Sequence, residues 1–281
     1  MLRQRILTAI VLLAILLPAL FHERPEPFAL ATLVLVSAGA WEWARLNGLG
    51  SAGSVVTGLV CLLACVLAWW GGWTGRPLGL LWQLSGGAWV LLGAALLARG
   101  VGAWSRIPVA LRWLGGVLAL WVTWMAVVQA RGIGINFLLS VLCLVWMADI
   151  AAYFAGRAFG GRVVRVKLAP SVSPGKSWEG AWGGMVGVLL MAVAWMWMDH
   201  RLDASVPSLY SRLWSTSALL LPLGAIFLAA MSVVGDLVES LIKRAAGVKD
   251  SSGLLPGHGG VLDRVDALLP VLPLAMMLST G

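Results

Sequence analysis

The sequence predicts an all-α, polytopic integral membrane protein. Hydrophobic residues make up 60% of its 281 residues and charged residues only 11%, whereas soluble domains carry about 25% charged residues. Apolar runs of about 20 residues, the length of a helix that crosses the hydrocarbon core, follow one another with short polar breaks. These runs do not alternate as the strands of a membrane barrel do, so each is expected to be a helix.

About nine transmembrane helices are expected, in a single membrane domain over residues 1–281. The first run follows Arg3 and Arg5 as in a signal peptide, but it lacks a small-x-small cleavage site, so we interpret it as a membrane anchor. Residues 1–130 carry few polar groups inside their spans and are interpreted as scaffold helices; residues 134–281 hold the candidate catalytic helices and loops. The predicted spans are 6–21, 28–44, 55–71, 79–98, 113–130, 134–156, 180–198, 215–235 and 261–279.

The distribution of positive charge predicts the topology. With nine spans, 15 of the 20 Lys and Arg residues lie on the side of the N-terminus. The positive-inside bias then places the N-terminus, the segments 157–179 and 236–266, and the polar site in the cytoplasm, with the C-terminus across the inner membrane. A net charge of +8 favours an anionic partner such as a lipid or nucleotide phosphate. Nucleic acid is not expected, because the positive charge is divided among loops around a site.

The first polar group that could carry chemistry lies in the sixth span. Asp149, Tyr153 and Arg157 follow one another at intervals of four residues, which aligns them along one stripe of a helix. Ionisable residues inside a membrane are functional by default. A structural ion pair between Asp149 and Arg157 is the alternative interpretation, and the sequence leaves both open.

The second group lies in the loop before the seventh span. Residues 175–177, Gly-Lys-Ser, resemble the end of a phosphate-binding P-loop, but Pro170 stands where that motif needs its first glycine, so we reject a P-loop. Ser173, Lys176 and Ser177 still precede a helix whose free N–H groups attract phosphate. The alternative is an ordinary N-cap beside a lysine that reaches toward water. Small residues that allow close helix packing follow at positions Gly180, Gly183, Gly184 and Gly187.

The third group, residues 236–266, contains nine charged residues. Asp236, Ser240 and Lys243 share an arc of about 60° on one helical face. A glycine-rich segment follows, and Asp263 and Asp266 then lie one turn apart. Carboxylates that converge from different helices beside basic residues are typical of a magnesium site completed by water and substrate phosphates. Taken singly, these residues could form surface ion pairs, such as Arg264 with Asp263 or Glu239 with Lys243, but together they favour a functional site.

The run from Ser240 to Asp266, with Pro-Gly-His-Gly-Gly at 256–260, resembles the signature of phosphatidate cytidylyltransferases, also called CDP-diacylglycerol synthases. The blocks at 148–157 and 167–180 are similar to two further blocks of that family, and Trp-Glu-Trp at 41–43 is similar to its bacterial members. The chain departs from the family at Ser171, where a basic residue is expected, and at 161–166, which is longer than usual.

The resemblance implies a nucleotidyltransferase that moves a cytidylyl group from CTP to phosphatidate in the bilayer and releases pyrophosphate. It implies Mg²⁺ and a second, monovalent cation such as K⁺, and it favours a homodimer. A CTP-dependent polyisoprenoid lipid kinase and an ion transporter are the alternatives. Catalytic roles are implied for Asp236, Ser240, Lys243, Asp263 and Asp266, of which the three aspartates are the expected metal ligands. The expected substrate-binding residues are Asp149, Tyr153, Arg157, Ser173, Lys176, Ser177, Arg244, Lys249, Asp250, His258 and Arg264.

Overall fold

A computed structural model describes residues 2–279, and over that range it consists of helices and connecting turns without a β-strand. Eight of the helices, α1–α4, α6–α8 and α10, are long and apolar enough to cross a membrane, which confirms the predicted fold class. The helices are α1 (Leu2–Phe21), α2 (Glu26–Leu46), α3 (Gly50–Trp70), α4 (Gly79–Arg99), α5 (Val101–Arg106), α6 (Val109–Ile133), α7 (Ile135–Phe159), α8 (Trp178–Arg201), α9 (Leu209–Thr216), α10 (Leu220–Ala245), α11 (Leu262–Val265) and α12 (Leu268–Ser279).

The ninth predicted span, 261–279, is not one long helix. It is divided into the single turn α11 and the 12-residue α12, which is about 18 Å long and therefore shorter than a bilayer core of about 30 Å. Two features explain the break: the side chain of Asp266 accepts the N–H of Ala267 at 2.7 Å, and Pro270 lacks the N–H that would bond to the carbonyl of Asp266 in a continuous helix. The described chain thus has eight full-length spans where nine were predicted.

The short helix α12 still runs along the first half of α10, in the opposite direction. At its beginning, the backbone oxygen of Asp266 lies against Gly235; near its end, Leu278 lies against Gly224, close to the start of α10. Helices α4, α6, α7 and α9 also pack on α12. The two consecutive parts of the chain, as far as the structure describes them (residues 2–130 and 134–279), therefore pack against each other around α12.

Helices α7 and α8 make the closest contact of the bundle, because glycines of α8 face alanines of α7. A Cβ atom added at Gly187 would lie 2.5 Å from the Cβ of Ala151, and one added at Gly184 would lie 2.8 Å from the carbonyl oxygen of Ala148. At Gly183 an added Cβ would overlap the Cβ of Ala155. The predicted packing role of these glycines is confirmed, and it fixes α7 against the loop that enters α8.

Candidate active site

Charged side chains from three parts of the chain meet beside the middle of α10. Lys176, from the loop before α8, forms an ion pair with Asp236 of α10. The other oxygen of Asp236 accepts a hydrogen bond from Ser240 at 3.2 Å, one helical turn along α10. The negative charge of Asp236 also acts on Asp149 of α7 and on Asp266 after α11. The sequence predictions had placed these residues in separate groups, and the fold brings them together.

A second group of charges surrounds Lys243, one turn further along α10. Its ammonium lies 2.5 Å from a carboxylate oxygen of Glu239 and 2.6 Å from Oδ1 of Asp263. Glu239 is buried, with 4% of its surface exposed. The sequence allowed for a surface pair between Glu239 and Lys243; the structure instead has a buried three-member cluster. Lys243 therefore joins α10 to the segment that carries both Asp263 and Asp266.

The carboxylate of Asp263 accepts hydrogen bonds that hold the segment before it in place. Its Oδ2 accepts hydrogen bonds from the N–H of Ser251 at 2.9 Å, the hydroxyl of Ser251 at 2.9 Å and the N–H of Gly260 at 2.7 Å. Burial by itself would raise the pKa of Asp263, but Lys243 and the two backbone donors outweigh burial and lower it. Asp263 is thus a stable carboxylate whose oxygens are already taken by the chain.

Asp266 has the opposite character. It accepts one hydrogen bond, from the N–H of Ala267 at 2.7 Å. Burial, and after it the negative charge of Asp236, raise the pKa of Asp266 to about 7. A carboxylate in this state gains most from a cation placed between it and Asp236.

These donors decide which residues could hold a metal ion. Within residues 2–279, no three Asp, Glu, His or Cys side chains are arranged to hold one by themselves. Mg²⁺ does not need three, because it usually takes one or two carboxylates together with water and substrate phosphates. Asp236 and Asp266 fit that requirement, since each exerts its charge on the other and Asp266 has few protein donors. Asp263 fits it poorly, because four hydrogen bonds already occupy its oxygens.

The glycine-rich segment forms a compact loop over residues 252–260. Gly257 and Gly259 have φ angles of +77° and +83°, which favour glycine. The N–H of Leu255 donates to the carbonyl of Gly259 at 2.8 Å, and Arg264 donates to the carbonyl of His258 at 3.0 Å. His258 and Arg264, both expected to bind substrate, therefore also shape this loop. Lys249 and Asp250 lie at its entrance and are exposed.

The three residues predicted to share a stripe on α7, Asp149, Tyr153 and Arg157, do not act as one group. Arg157 donates to the hydroxyl of Tyr153 at 3.1 Å, and the ion pairs of the described residues do not include one between Arg157 and Asp149. The structural Asp149–Arg157 pair allowed by the sequence is therefore not formed. Asp149 lies instead within electrostatic range of Asp236 and Lys176, while Tyr153 is 58% exposed on the outer surface.

The loop before α8 combines the two interpretations that the sequence left open. Ser177 is the N-cap of α8: its hydroxyl accepts the N–H of Gly180 at 3.1 Å. Lys176 does not reach toward water but turns to Asp236. Ser173 closes a tight turn through its N–H, which donates to Ala169 at 2.8 Å. Arg244 of α10 donates to the carbonyl of Val172 at 3.3 Å and so fastens this loop to α10.

Two buried glutamates that the sequence interpretation did not assign to the site hold its loops in place. Glu179 accepts the N–H groups of Val163 and Val164 at 2.9 and 2.8 Å, within the stretch that is longer than usual in the family. Glu42, at the end of α2, is fully buried and contacts the glycine-rich loop. The available signal was an acidic residue inside an otherwise apolar span, which is costly without partners.

Comparisons with known proteins find relatives over nearly the whole chain. A family model described as "Cytidylyltransferase family" matches residues 3–280. A protein of Pseudomonas aeruginosa named phosphatidate cytidylyltransferase is 41% identical over 97% of this chain and 95% of its own length. Proteins of the same name from Haemophilus influenzae and Brucella suis are 36% and 35% identical, over 97% and 95% of this chain and 96% and 89% of their own lengths.

Proposed function

Since this chain belongs to the cytidylyltransferase family, we propose that it transfers the cytidylyl group of CTP to phosphatidate and forms CDP-diacylglycerol and pyrophosphate in phospholipid biosynthesis. The names of its relatives, and their sequence identity to this chain over nearly its whole length, support this reaction. The structural observation that carries it is the convergence of Asp236 and Asp266 with Lys176 in one polar site within an apolar helical bundle.

The reaction is a displacement at phosphorus that needs no nucleophile from the protein. An oxygen of the phosphatidate phosphate attacks the α-phosphorus of CTP, and the bond from that phosphorus to the bridging oxygen of the β-phosphate breaks. Pyrophosphate leaves with the electron pair, and a new phosphoanhydride bond joins lipid and nucleotide. Because both substrates are anions, the protein contributes mainly position and positive charge.

The basic residues supply that charge. Among the ion pairs of residues 2–279, Lys176 takes part in one alone, with Asp236, so it can exchange this partner for a phosphate oxygen when substrate binds. Ser240 donates its one hydroxyl proton to the same carboxylate and can turn it to a phosphate oxygen when substrate binds. Arg244, Lys249 and Arg264 surround the entrance as exposed cations and attract the anionic substrates.

A magnesium ion would be held by Asp236 and Asp266, with Asp149 near them. When bound, it would neutralise charge on the triphosphate and on the leaving pyrophosphate. Asp263 keeps its proposed importance, but its contacts favour a role in holding Asp266 in place. A second, monovalent cation and a homodimer are proposed from the family likeness alone.

We propose that the site opens at the membrane edge, on the cytoplasmic side of the inner membrane. The excess of Lys and Arg in the loops at this end of the bundle supports that orientation. CTP then enters from the cytoplasm, while the acyl chains of phosphatidate remain in the bilayer and its headgroup reaches the polar cluster laterally.

The decisive experiment incubates the purified protein in detergent with phosphatidate, Mg²⁺ and each of the four nucleoside triphosphates. We expect pyrophosphate and CDP-diacylglycerol from CTP, and a loss of at least about 100-fold in rate with Asp266→Asn, as for removal of a group that stabilises transition-state charge. Release of CDP instead of pyrophosphate would identify a lipid kinase. Unchanged turnover by Asp266→Asn would remove Asp266 from the metal site.

A further inference from the structure

We propose that Glu42 is a positioning residue for catalysis: its carboxylate holds both ends of the glycine-rich loop and thereby places Asp263 and Asp266. The inference deepens the proposed cytidylyl transfer and rests on it for its activity measurements. It assigns a role in the site to the N-terminal part of the chain, which the sequence predicted to be scaffold only.

Glu42 has four donor groups around it, two at each oxygen, and shares the single hydroxyl proton of Ser251 with Asp263. Oε1 accepts the hydroxyl of Ser252 at 2.6 Å and the N–H of Val261 at 2.9 Å. Oε2 accepts the hydroxyl of Ser251 at 3.0 Å and the N–H of Leu262 at 2.8 Å. Each oxygen therefore binds one residue from the start of the loop and one from its end, so the carboxylate closes the loop at its base.

The same contacts connect Glu42 to the acidic residues of the site. The hydroxyl of Ser251 lies within hydrogen-bond distance of Glu42 and also of Asp263, at 2.9 Å. Asp263 in turn binds Lys243 of α10, and Asp266 follows it by three residues. A shift at the base of the loop is thus transmitted to Asp266 through one short helical turn.

Within the described residues, Glu42 has no charged partner besides these hydrogen bonds. Its side chain is fully buried, and none of the ion pairs within residues 2–279 involves it. A buried, unpaired carboxylate is costly unless hydrogen bonds satisfy it, and here only the loop supplies them. Gly260 fits closely as well, since an added Cβ would overlap Ser251 and Glu42. The loop conformation and the carboxylate therefore depend on each other.

The arrangement makes glutamine an informative substitution. A glutamine at position 42 has nearly the same size, but one carboxylate oxygen becomes an NH₂ donor. A serine hydroxyl can rotate to accept from that NH₂, whereas the N–H of Val261 or Leu262 cannot. In Glu42→Gln, the glutamine NH₂ therefore faces a backbone N–H at one end of the loop, while the packing is kept. The variant thus tests whether Glu42 positions the loop or only fills space.

The test compares Glu42→Gln with Ser252→Ala, which removes one donor and leaves the charge, and with Glu26→Gln as a control. Glu26 is an exposed glutamate at the opposite end of the same helix α2. Hydrogen exchange is measured by mass spectrometry on the full-length protein in detergent without substrates, and kcat, KM for CTP and the half-activating Mg²⁺ concentration are measured separately.

For Glu42→Gln we expect faster hydrogen exchange confined to residues 251–263. We also expect kcat to fall about ten- to hundredfold, which is the effect of misplacing reacting groups by about 1 Å. The half-activating Mg²⁺ concentration should rise. Ser252→Ala should shift each quantity the same way but less, and Glu26→Gln none. Exchange that rises evenly over all helices in Glu42→Gln, or unchanged exchange in both loop variants, would overturn the proposal. Because exchange needs no substrate, its outcome stands even if the proposed reaction is wrong.

Discussion

Carboxylates in this site differ in how many hydrogen bonds the chain already gives them. Asp263 and Glu42 each have four donor groups around them, of which they share one, the Ser251 hydroxyl, whereas Asp266 accepts one hydrogen bond, from its neighbour Ala267. A carboxylate whose oxygens are filled by N–H and O–H donors holds structure; one with open oxygens can bind an ion or a phosphate-bound metal. Counting donors therefore distinguishes Asp263 from Asp266, which the sequence treated as equivalent metal ligands.

Lys243 can be tested for a substrate role apart from its structural one. Lys243→Met removes the cation beside buried Glu239 and should lower the free energy of unfolding by about 3–5 kcal/mol, as for one partner lost from a buried ion pair. The double variant Lys243→Met, Glu239→Leu removes the unpaired charge and should recover most of that stability. Thermal unfolding in detergent measures both.

The activity of the same two variants then gives the answer. We expect CTP-dependent pyrophosphate release to stay low in the double variant, since Lys243 would also contact substrate phosphate. Recovery of turnover together with stability would assign Lys243 a purely structural function.

At the scale of helices, the sequence predicted the spanning helices, which depend on the length of local apolar runs. It missed the contacts between residues that are far apart in the sequence. Each of the first eight predicted spans corresponds to one long helix, because an apolar run of about 20 residues is by itself enough to predict a spanning helix. The ninth prediction was wrong because Pro270 and the side-chain hydrogen bond of Asp266 to Ala267 interrupt an equally apolar run. The pairing of Lys176 with Asp236, 60 residues apart, and the contacts of Glu42 with residues more than 200 positions away require a fold that no local pattern contains.

The contact between α7 and α8 can be tested with a compensating pair. Gly183→Ala should place a methyl group against Ala155 and lower the free energy of unfolding by about 1–3 kcal/mol, as for overpacking. It should also reduce turnover, because α7 carries Asp149 and the loop entering α8 carries Lys176. Adding Ala155→Gly to the same protein should restore both, as measured by thermal unfolding and pyrophosphate release.

Gly115→Ala in α6 serves as the control for this pair, because nothing lies within 4 Å of a Cβ added there. Alanine favours a helix over glycine by about 1 kcal/mol, so this variant should be as stable as the parent or more stable. If Gly183→Ala behaved like Gly115→Ala, the close α7–α8 contact would not matter for stability.

At the scale of the whole molecule, the bundle separates a polar end from an apolar body. The loops after α2, α4, α7 and α10 lie at the polar end, and the loops after α1, α3, α6 and α8 lie at the other. The sequence predicted this division from its charge asymmetry, which does not depend on how α12 is built. The proposed orientation in the membrane rests on the same asymmetry.

Orientation can be measured with single cysteines in a background where Cys61, Cys65 and Cys143 are replaced by alanine. Arg76 and Lys249 are both exposed and lie in loops at opposite ends of the bundle. A membrane-impermeant maleimide should label Arg76→Cys in spheroplasts and Lys249→Cys only after permeabilisation. The reverse pattern would place the site outside the cytoplasm.

The long separation between Glu42 and its four donors has a consequence for biogenesis. At about 5–20 residues per second, residues 251–262 leave the ribosome roughly 10–40 s after Glu42, whose helix has by then entered the translocon. During that interval the nascent chain must keep the carboxylate hydrated or neutral near the bilayer edge, since no donor yet exists for it. Assembly of the catalytic end is therefore a late, post-insertion event, and truncated chains that stop before residue 251 should expose Glu42 to quality-control proteases.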